Sequence, residues 1–155
     1  MKPVLQALVI AERVYEDKSG KKIIAGTFNR VKFKKNYKPV KEVEQPDGTK
    51  KRYIEGGTQS GSPYAYISLT DVCDKTELKL QFVSLSRNEV LFESSVILSC
   101  KDRLKTVEIV AALPPLRVPE QGVYAFEVVY SDEVIGSHRI VAQEITDQDQ
   151  DQGQE

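Results

Sequence analysis

Apolar and polar side chains alternate along most of this chain, with the two-residue period of half-buried β-strands. In one run, Leu78, Leu80 and Phe82 alternate with Lys79 and Gln81. Almost no stretch keeps apolar residues at helical spacing over three turns. The pattern therefore predicts an all-β protein.

Eight strands are predicted, separated by short polar turns. They cover residues 5–15, 22–33, 64–72, 77–85, 90–98, 106–113, 123–130 and 134–145. The turn at 18–21 makes the first two strands a hairpin, and we expect successive strands to run antiparallel. This spacing is typical of a β-sandwich.

The segment from residue 34 to 63 is too long for a simple loop in a compact domain. A Pro-Asp-Gly turn signal at 46–48 predicts that its flanks fold onto each other as a β-ribbon. The predicted partners, given in pairs, are Glu44 and Lys50, Glu42 and Arg52, and Val40 and Ile54. The first two pairs join opposite charges, which stabilises neighbouring strands.

Residues 120–126 bring the chain into a predicted strand with an acid-x-Gly-x-Tyr-x-apolar run. In immunoglobulin-like sandwiches a tyrosine at this corner, two residues before a core cysteine, sends its hydroxyl back to the backbone just upstream. Tyr124 and Phe126 hold these two places, after Gly122. The corner resembles that of immunoglobulin-like domains, although the cysteine and any tryptophan are absent. The residues predict an immunoglobulin-like antiparallel β-sandwich with a β-ribbon insertion.

Two further segments read LVIAE at 8–12 and KIIAGTF at 22–28, and the corner itself reads GVYAF at 122–126. With them the whole chain is similar to a family of uncharacterised small bacterial proteins with an immunoglobulin-like fold. This resemblance implies a bacterial source and a fold, and it supplies no activity.

The length of 155 residues fits one domain. We expect residues 1–145 to form a single sandwich that includes the 34–63 insertion, and the polar, acidic residues 146–155 to form a disordered tail. The 22 Lys and Arg against 23 Asp and Glu give a net charge of -1. No overall field therefore draws the protein toward nucleic acid or membrane.

A cytoplasmic location is predicted. No apolar stretch approaches the ~20 residues of a membrane-spanning helix, and Gln6 and Glu12 interrupt the amino-terminal run that would otherwise suggest a secretory signal. Cys73 and Cys100 are isolated thiols that suit a reducing compartment. Their spacing leaves open whether they form a disulfide.

The sequence contains no clear catalytic motif, and we expect neither enzymatic activity nor a cofactor or bound metal. His138 is the sole histidine and lies within the last predicted strand, where it suits a polar face better than a general base. No serine sits in a Gly-x-Ser-x-Gly elbow, and no Gly-Lys-Ser/Thr ending marks a phosphate loop.

The candidate binding surface is the insertion, where lysines and tyrosines interleave. Its predicted binding residues are Tyr37, Lys38, Lys50, Lys51, Arg52, Tyr53 and Ile54. The favoured function is recognition of a protein of unknown identity, which would add a strand to the exposed ribbon. The alternative is binding of nucleic acid or another anionic polymer by the basic run that begins at Lys32.

A second alternative is calcium-dependent binding of the C2 type. Strand parity predicts that five aspartates gather in loops at one end of the sandwich: Asp17, Asp71, Asp74, Asp102 and Asp132. Lysines share these loops, and the aspartate pairs at i, i+2 that mark C2 sites are missing. Turn-forming residues of both charges explain the pattern equally well.

Overall fold

The computed structural model describes residues 2–34 and 62–145 and the backbone of 41–44 and 50–53. This part of the chain contains eleven strands and no helix. They are β1 (Val4–Glu16), β2 (Lys22–Thr27), β3 (Arg30–Phe33), β4 (Lys41–Glu44), β5 (Lys50–Tyr53), β6 (Tyr64–Thr70), β7 (Asp74–Ser84), β8 (Glu89–Cys100), β9 (Val107–Ala112), β10 (Gly122–Tyr130) and β11 (Glu133–Glu144).

Two sheets pack face to face as a β-sandwich. The first has the strand order β2-β1-β6-β9, and the second has the order β3-β11-β10-β7-β8. Strands β7, β10 and β11 lie side by side as strands C, F and G do in an immunoglobulin-type sheet. The prediction of an all-β sandwich is confirmed, with the correction that β3 pairs with β11 in parallel.

The core lies between the sheets and is built from the inward positions of the alternating strands. In β7 every second residue from Thr76 to Phe82 is buried, while Glu77 is exposed. Ile10 and Leu69 of the first sheet and Ile140 of the second are completely buried in the same apolar cluster. The two-residue period of the sequence therefore reports which face of each strand is covered.

The corner at the start of β10 has the predicted geometry. The Tyr124 hydroxyl donates a hydrogen bond of 2.6 Å to the Glu120 carbonyl. Phe126 is 0% exposed, and its ring stacks on Phe82 with 4.7 Å between centroids. Phe126 thus fills the core at the position that a cysteine holds in antibody domains, and Phe82, its direct neighbour in the same sheet, adds a second ring.

The prediction of one continuous strand over residues 22–33 is wrong, because the chain crosses from one sheet to the other within it. β2 ends at Thr27, after Gly26 has turned the backbone with a φ of 74°. The Asn29 carbonyl then accepts a hydrogen bond of 2.9 Å from the Val141 amide of the second sheet. The alternation breaks at this point, where Asn29 and Arg30 are consecutive exposed polar residues, and the prediction of one strand passed over that signal.

The crossing adds one reversal of direction and thereby moves later loops to the other end of the sandwich. Asp17 follows the last residue of β1, whereas Asp71 follows Thr70, which pairs with the first residue of β1. Asp71, Asp74, Asp102 and Asp132 remain at one end, because Asp74 pairs with Cys100 and Asp132 joins β10 to β11. The prediction that Asp17 shares their end is wrong.

Candidate binding surface

A cleft of about 970 Å³ opens where the 34–63 insertion leaves and rejoins the sandwich. Pairing of β1 with β6 stops at Ala11 and Tyr64, so the last residues of β1 extend beyond β6. On the facing side β3 has already crossed to the second sheet. The cleft is lined by Glu12, Arg13, Val14, Tyr15, Phe28, Arg30, Val31, Lys32, Ser62, Pro63 and Tyr64.

The cleft carries an excess of positive charge. The lining contains three cations, Arg13, Arg30 and Lys32, and one carboxylate, Glu12, so these four exposed side chains carry a formal charge of +2. None of the ion pairs between described residues involves the three cations.

Aromatic surface lies beside these cations. Tyr15 is 54% exposed, and Phe28 and Tyr64 are partly buried in the same lining. A ligand that combines anionic groups with flat or apolar groups would suit such a lining.

The short strand β3 positions two of the cationic side chains of the cleft, Arg30 and Lys32. Its alternation buries Val31 and Phe33 in the core and leaves Arg30 and Lys32 exposed. Parallel pairing with β11, from Arg30 opposite Val141 to Phe33 opposite Glu144, holds the strand in place. The two cations of β3 thus stand on a strand anchored in the core.

His138 has a structural role that the sequence did not reveal. Its Nε2 donates a hydrogen bond of 2.8 Å to the Phe28 carbonyl, because a carbonyl oxygen can only accept. Phe28 lies at the crossing between the sheets and lines the cleft. Only the tertiary structure brings residues 110 positions apart in the sequence into contact, and no local signal could have found the pair.

The insertion contains the predicted ribbon. β4 and β5 pair antiparallel, with Glu44 opposite Lys50 and Glu42 opposite Arg52, which is the register expected from the turn. Four of the predicted binding residues lie in β5, namely Lys50, Lys51, Arg52 and Tyr53. The others, Tyr37, Lys38 and Ile54, lie outside the described residues, as do Val40 and the 146–155 tail.

The aspartate-bearing loops give the calcium alternative no geometric support. Within residues 2–34 and 62–145, no group of three or more His, Cys, Asp or Glu side chains could hold a metal ion. Asp17 instead caps its own turn, accepting hydrogen bonds from the Ser19 amide at 2.8 Å and the Lys21 amide at 2.9 Å. Together with the Ser19 hydroxyl, these donors hold the pKa of Asp17 below its ordinary value.

Comparison with known proteins finds no matching family model and no curated protein with significant similarity. Among the described strands and loops there is no helix long and apolar enough to cross a membrane. Both cysteines are free thiols. Function is therefore inferred from the geometry of this chain, and the resemblance to small bacterial proteins stays a prediction.

Proposed function

We propose that this chain is a non-enzymatic binding module that holds an extended, acidic segment of a partner protein between its ribbon and the adjoining cleft. One observation carries the proposal. Both points at which the insertion joins the sandwich, after β3 and before β6, border the same cationic cleft. The ribbon is therefore connected at both of its ends to chain that lines the cleft.

The ribbon supplies backbone groups for recognition. β4 and β5 form a two-stranded sheet that is separate from both sandwich sheets. Within the described residues neither strand has a second neighbour, so each has one row of backbone donors and acceptors to offer. A partner segment would add a third strand, with Tyr37, Tyr53 and Ile54 as anchors.

The cleft supplies the preference for acidic segments. Arg13, Arg30 and Lys32 lie within one cavity of a size typical of ligand sites. Carboxylates of the partner would form charge-assisted hydrogen bonds with these side chains. We place this interaction in a reducing cytoplasm, which the free thiols of Cys73 and Cys100 favour.

Affinity capture from native lysate, followed by binding of the purified partner by calorimetry, tests the proposal. We expect deletion of residues 36–60 to leave the sandwich folded and to abolish binding. The double charge reversal Arg30→Glu and Lys32→Glu should weaken binding at least about tenfold, because it turns two attractive contacts into repulsive ones.

The matched control reverses two exposed lysines, Lys75→Glu and Lys105→Glu, near the opposite end of the sandwich. It changes the net charge of the protein by the same amount, so a general field effect would weaken binding equally in both double variants. Equal affinities for the two double variants, or unchanged binding after the deletion, would contradict the proposal.

A second candidate function is binding of single-stranded nucleic acid, which the exposed Tyr15 beside Arg13 and Arg30 favours. It predicts an affinity for labelled oligonucleotides that falls steeply between about 50 and 200 mM salt. Fluorescence anisotropy measures this directly. Lack of binding at the lower salt concentration removes this candidate and leaves the protein-binding proposal standing.

A further inference from the structure

The outer face of the first sheet is apolar, although no described strand packs on it. Its residues alternate with the buried ones, so that Tyr66 of β6 pairs with Val9 of β1 on one side and with Val110 of β9 on the other. Val4, Tyr15 and Val110 are 46%, 54% and 38% exposed. Alanine, valine, isoleucine and tyrosine hold most of the outward positions of β1, β2, β6 and β9.

The second sheet shows how the same protein builds an outer face for contact with water. At outward positions of β7 and β10, Gln81 pairs with Glu127 and donates a hydrogen bond of 3.0 Å to its carboxylate. Lys79 forms an ion pair of 3.3 Å with Glu93 of β8. Antiparallel sheets that face water usually alternate apolar inward and polar outward positions in this way. The first sheet departs from that pattern, and such an exposed apolar surface marks an interaction site.

Two charged side chains lie on the outer face of the first sheet, and they have opposite signs. The outward positions of its four described strands carry one cation, Arg13, and one anion, Glu108, both exposed. Glu108 accepts a hydrogen bond from the Tyr66 hydroxyl, which holds the carboxylate on this face. The face is therefore neutral as a whole, and this neutrality disfavours a partner of strong net charge.

Arg13 and Glu108 lie on opposite sides of the centre of the face, which Tyr64 and Tyr66 occupy. Glu108 lies on the neighbouring strand β9, one row of outward residues beyond Tyr66. Arg13 lies on the other neighbouring strand, β1, one row beyond Tyr64 in the opposite direction. A two-fold axis in the plane of the face, through its centre and at right angles to the line from Arg13 to Glu108, exchanges the two positions.

We propose that the outer faces of the first sheets of two copies of this chain pack against each other as a two-fold dimer, in which Arg13 of each copy pairs with Glu108 of the other. The tyrosines of both copies then lie at the centre of the interface, with an ion pair on either side. The ion pair occurs twice, because a two-fold interface repeats every contact in reverse. A neutral face with one charge of each sign thus selects a second copy over a charged partner.

The side chains of the face differ in size, as interlocking sheets require. Ala7, Val9 and Ala11 leave the surface of β1 low, whereas Tyr64 and Tyr66 project from the neighbouring strand. Two sheets that pack face to face fill the space between them by setting large side chains against small ones. Large and small residues on one face therefore allow two copies of that face to interdigitate.

The size of the face suits a weak, reversible dimer. With about 4.8 Å between strands and about 3.3 Å per residue, the face measures roughly 450 Å². Two copies together would bury on the order of 1,000 Å², which is the lower limit for a specific interface. We therefore expect dimers to form only at micromolar or higher concentrations.

The inference goes beyond the proposed function, and the two can fail separately. Arg13, Tyr15 and Tyr64 also border the cleft, where β1 extends beyond β6. Arg30 and Lys32, which the test of the cleft changes, belong to β3 of the second sheet and lie outside this face. Dimerisation is measured without any partner protein, so its outcome does not depend on binding of an acidic segment.

Sedimentation equilibrium of the full chain from about 1 to about 200 µM tests the proposal, since the fraction of dimer rises with concentration. We expect a reversible monomer–dimer equilibrium for the wild type. Val110→Lys should raise the dissociation constant at least about fivefold, because dimer formation would bury an unpaired charge. The matched control is Val134→Lys, which changes a valine of similar exposure in the second sheet and should leave the dissociation constant unchanged.

A charge exchange tests the arrangement of the two copies and does not depend on Val110. Arg13→Glu alone and Glu108→Arg alone each place two like-charge pairs in the interface, and each should weaken the dimer about threefold or more. The variant that carries both changes restores opposite charges and should return close to wild-type affinity. Far-UV circular dichroism of each variant checks that the sandwich is folded.

Three outcomes would overturn the proposal. A wild type that stays monomeric up to about 200 µM leaves the apolar face to a different protein. A dimer that Val110→Lys weakens no more than Val134→Lys uses another surface. A dimer in which the two charge changes weaken affinity additively, without restoration, excludes the pairing of Arg13 with Glu108.

Discussion

Tyr124 holds a corner of the sandwich through both its ring and its hydroxyl. The ring is 1% exposed and lies 5.5 Å from that of Phe82, while the hydroxyl reaches the Glu120 carbonyl. The Glu120 carboxylate also accepts a hydrogen bond of 2.8 Å from Nη2 of Arg87, in the turn between β7 and β8. Glu120 thus links two connections that are far apart in the sequence.

We expect Tyr124→Phe to lower the free energy of unfolding by about 1 kcal/mol, because the Glu120 carbonyl loses its hydrogen bond while the ring packing is kept. Urea denaturation measures the change. Tyr15→Phe removes the same oxygen from an exposed ring and should change stability by less than about 0.5 kcal/mol. Equal effects of the two substitutions would show that the corner hydrogen bond contributes nothing.

The same substitution has a characteristic pH dependence. Burial raises the pKa of Tyr124 above its ordinary value of 10.0. The unfolded chain therefore loses this proton first, and the stability contributed by Tyr124 is complete below about pH 10 and declines as pH rises toward the folded pKa. The Tyr124→Phe variant has no hydroxyl to titrate and does not lose this stability. The difference in free energy of unfolding between the wild type and the variant should therefore become smaller above about pH 10.

The strands β2 and β3 determine where the chain passes from the first sheet to the second. The Phe28 amide donates a hydrogen bond of 3.5 Å to the Ile10 carbonyl of the first sheet. The carbonyl of the next residue, Asn29, accepts a hydrogen bond from the Val141 amide of the second sheet. Gly26 makes the turn possible, because a φ of 74° is strained for residues with a Cβ. A methyl group there would also lie 3.0 Å from Glu12 Oε2 and 3.1 Å from Glu12 Cβ.

Two glycines with similar backbone angles allow the cost of backbone strain to be distinguished from the cost of steric crowding. Gly20 has a φ of 88°, and a methyl group there would meet only Glu16 Oε1, at 3.5 Å. We expect Gly20→Ala to cost about 1 kcal/mol from backbone strain alone. Gly26→Ala should cost at least about 2 kcal/mol, because Glu12 must also move. Chemical denaturation of both variants checks the order, and a smaller loss for Gly26→Ala would contradict it.

At the scale of the whole molecule, stability depends on how closely the two sheets approach. Gly136 of β11 faces Leu5 of β1 across the sandwich, and a methyl group at Gly136 would overlap Cδ2 of Leu5. The absence of a side chain at 136 therefore lets Leu5 pack against the core from the opposite sheet. Sandwich interiors tolerate little added volume at such contacts.

A double-mutant cycle tests this contact. Gly136→Ala should lower the free energy of unfolding by about 1 to 3 kcal/mol through overpacking. In a Leu5→Ala background the same change should cost much less, because the space for the methyl group already exists. Additive effects in urea denaturation would show that the two residues do not meet.

Local chemistry determined the strands, the corner and the ribbon. The two-residue period marks buried faces, Tyr124 bonds a carbonyl four residues away, and the β4–β5 register follows from a short turn and adjacent charges. These features depend on residues close in sequence, so a single chain reveals them. Of the residues that line the cleft, only Lys32 belongs to the basic run predicted from the sequence.

Tertiary structure alone decided which sheet each strand joins. The crossing at residues 28 and 29, the parallel pairing of β3 with β11 and the end at which each aspartate lies all follow from contacts between distant residues. Arg13, Arg30 and Tyr64 line one cleft for the same reason. Side-chain alternation is identical whichever sheet a strand joins, so the pattern carries no record of that choice.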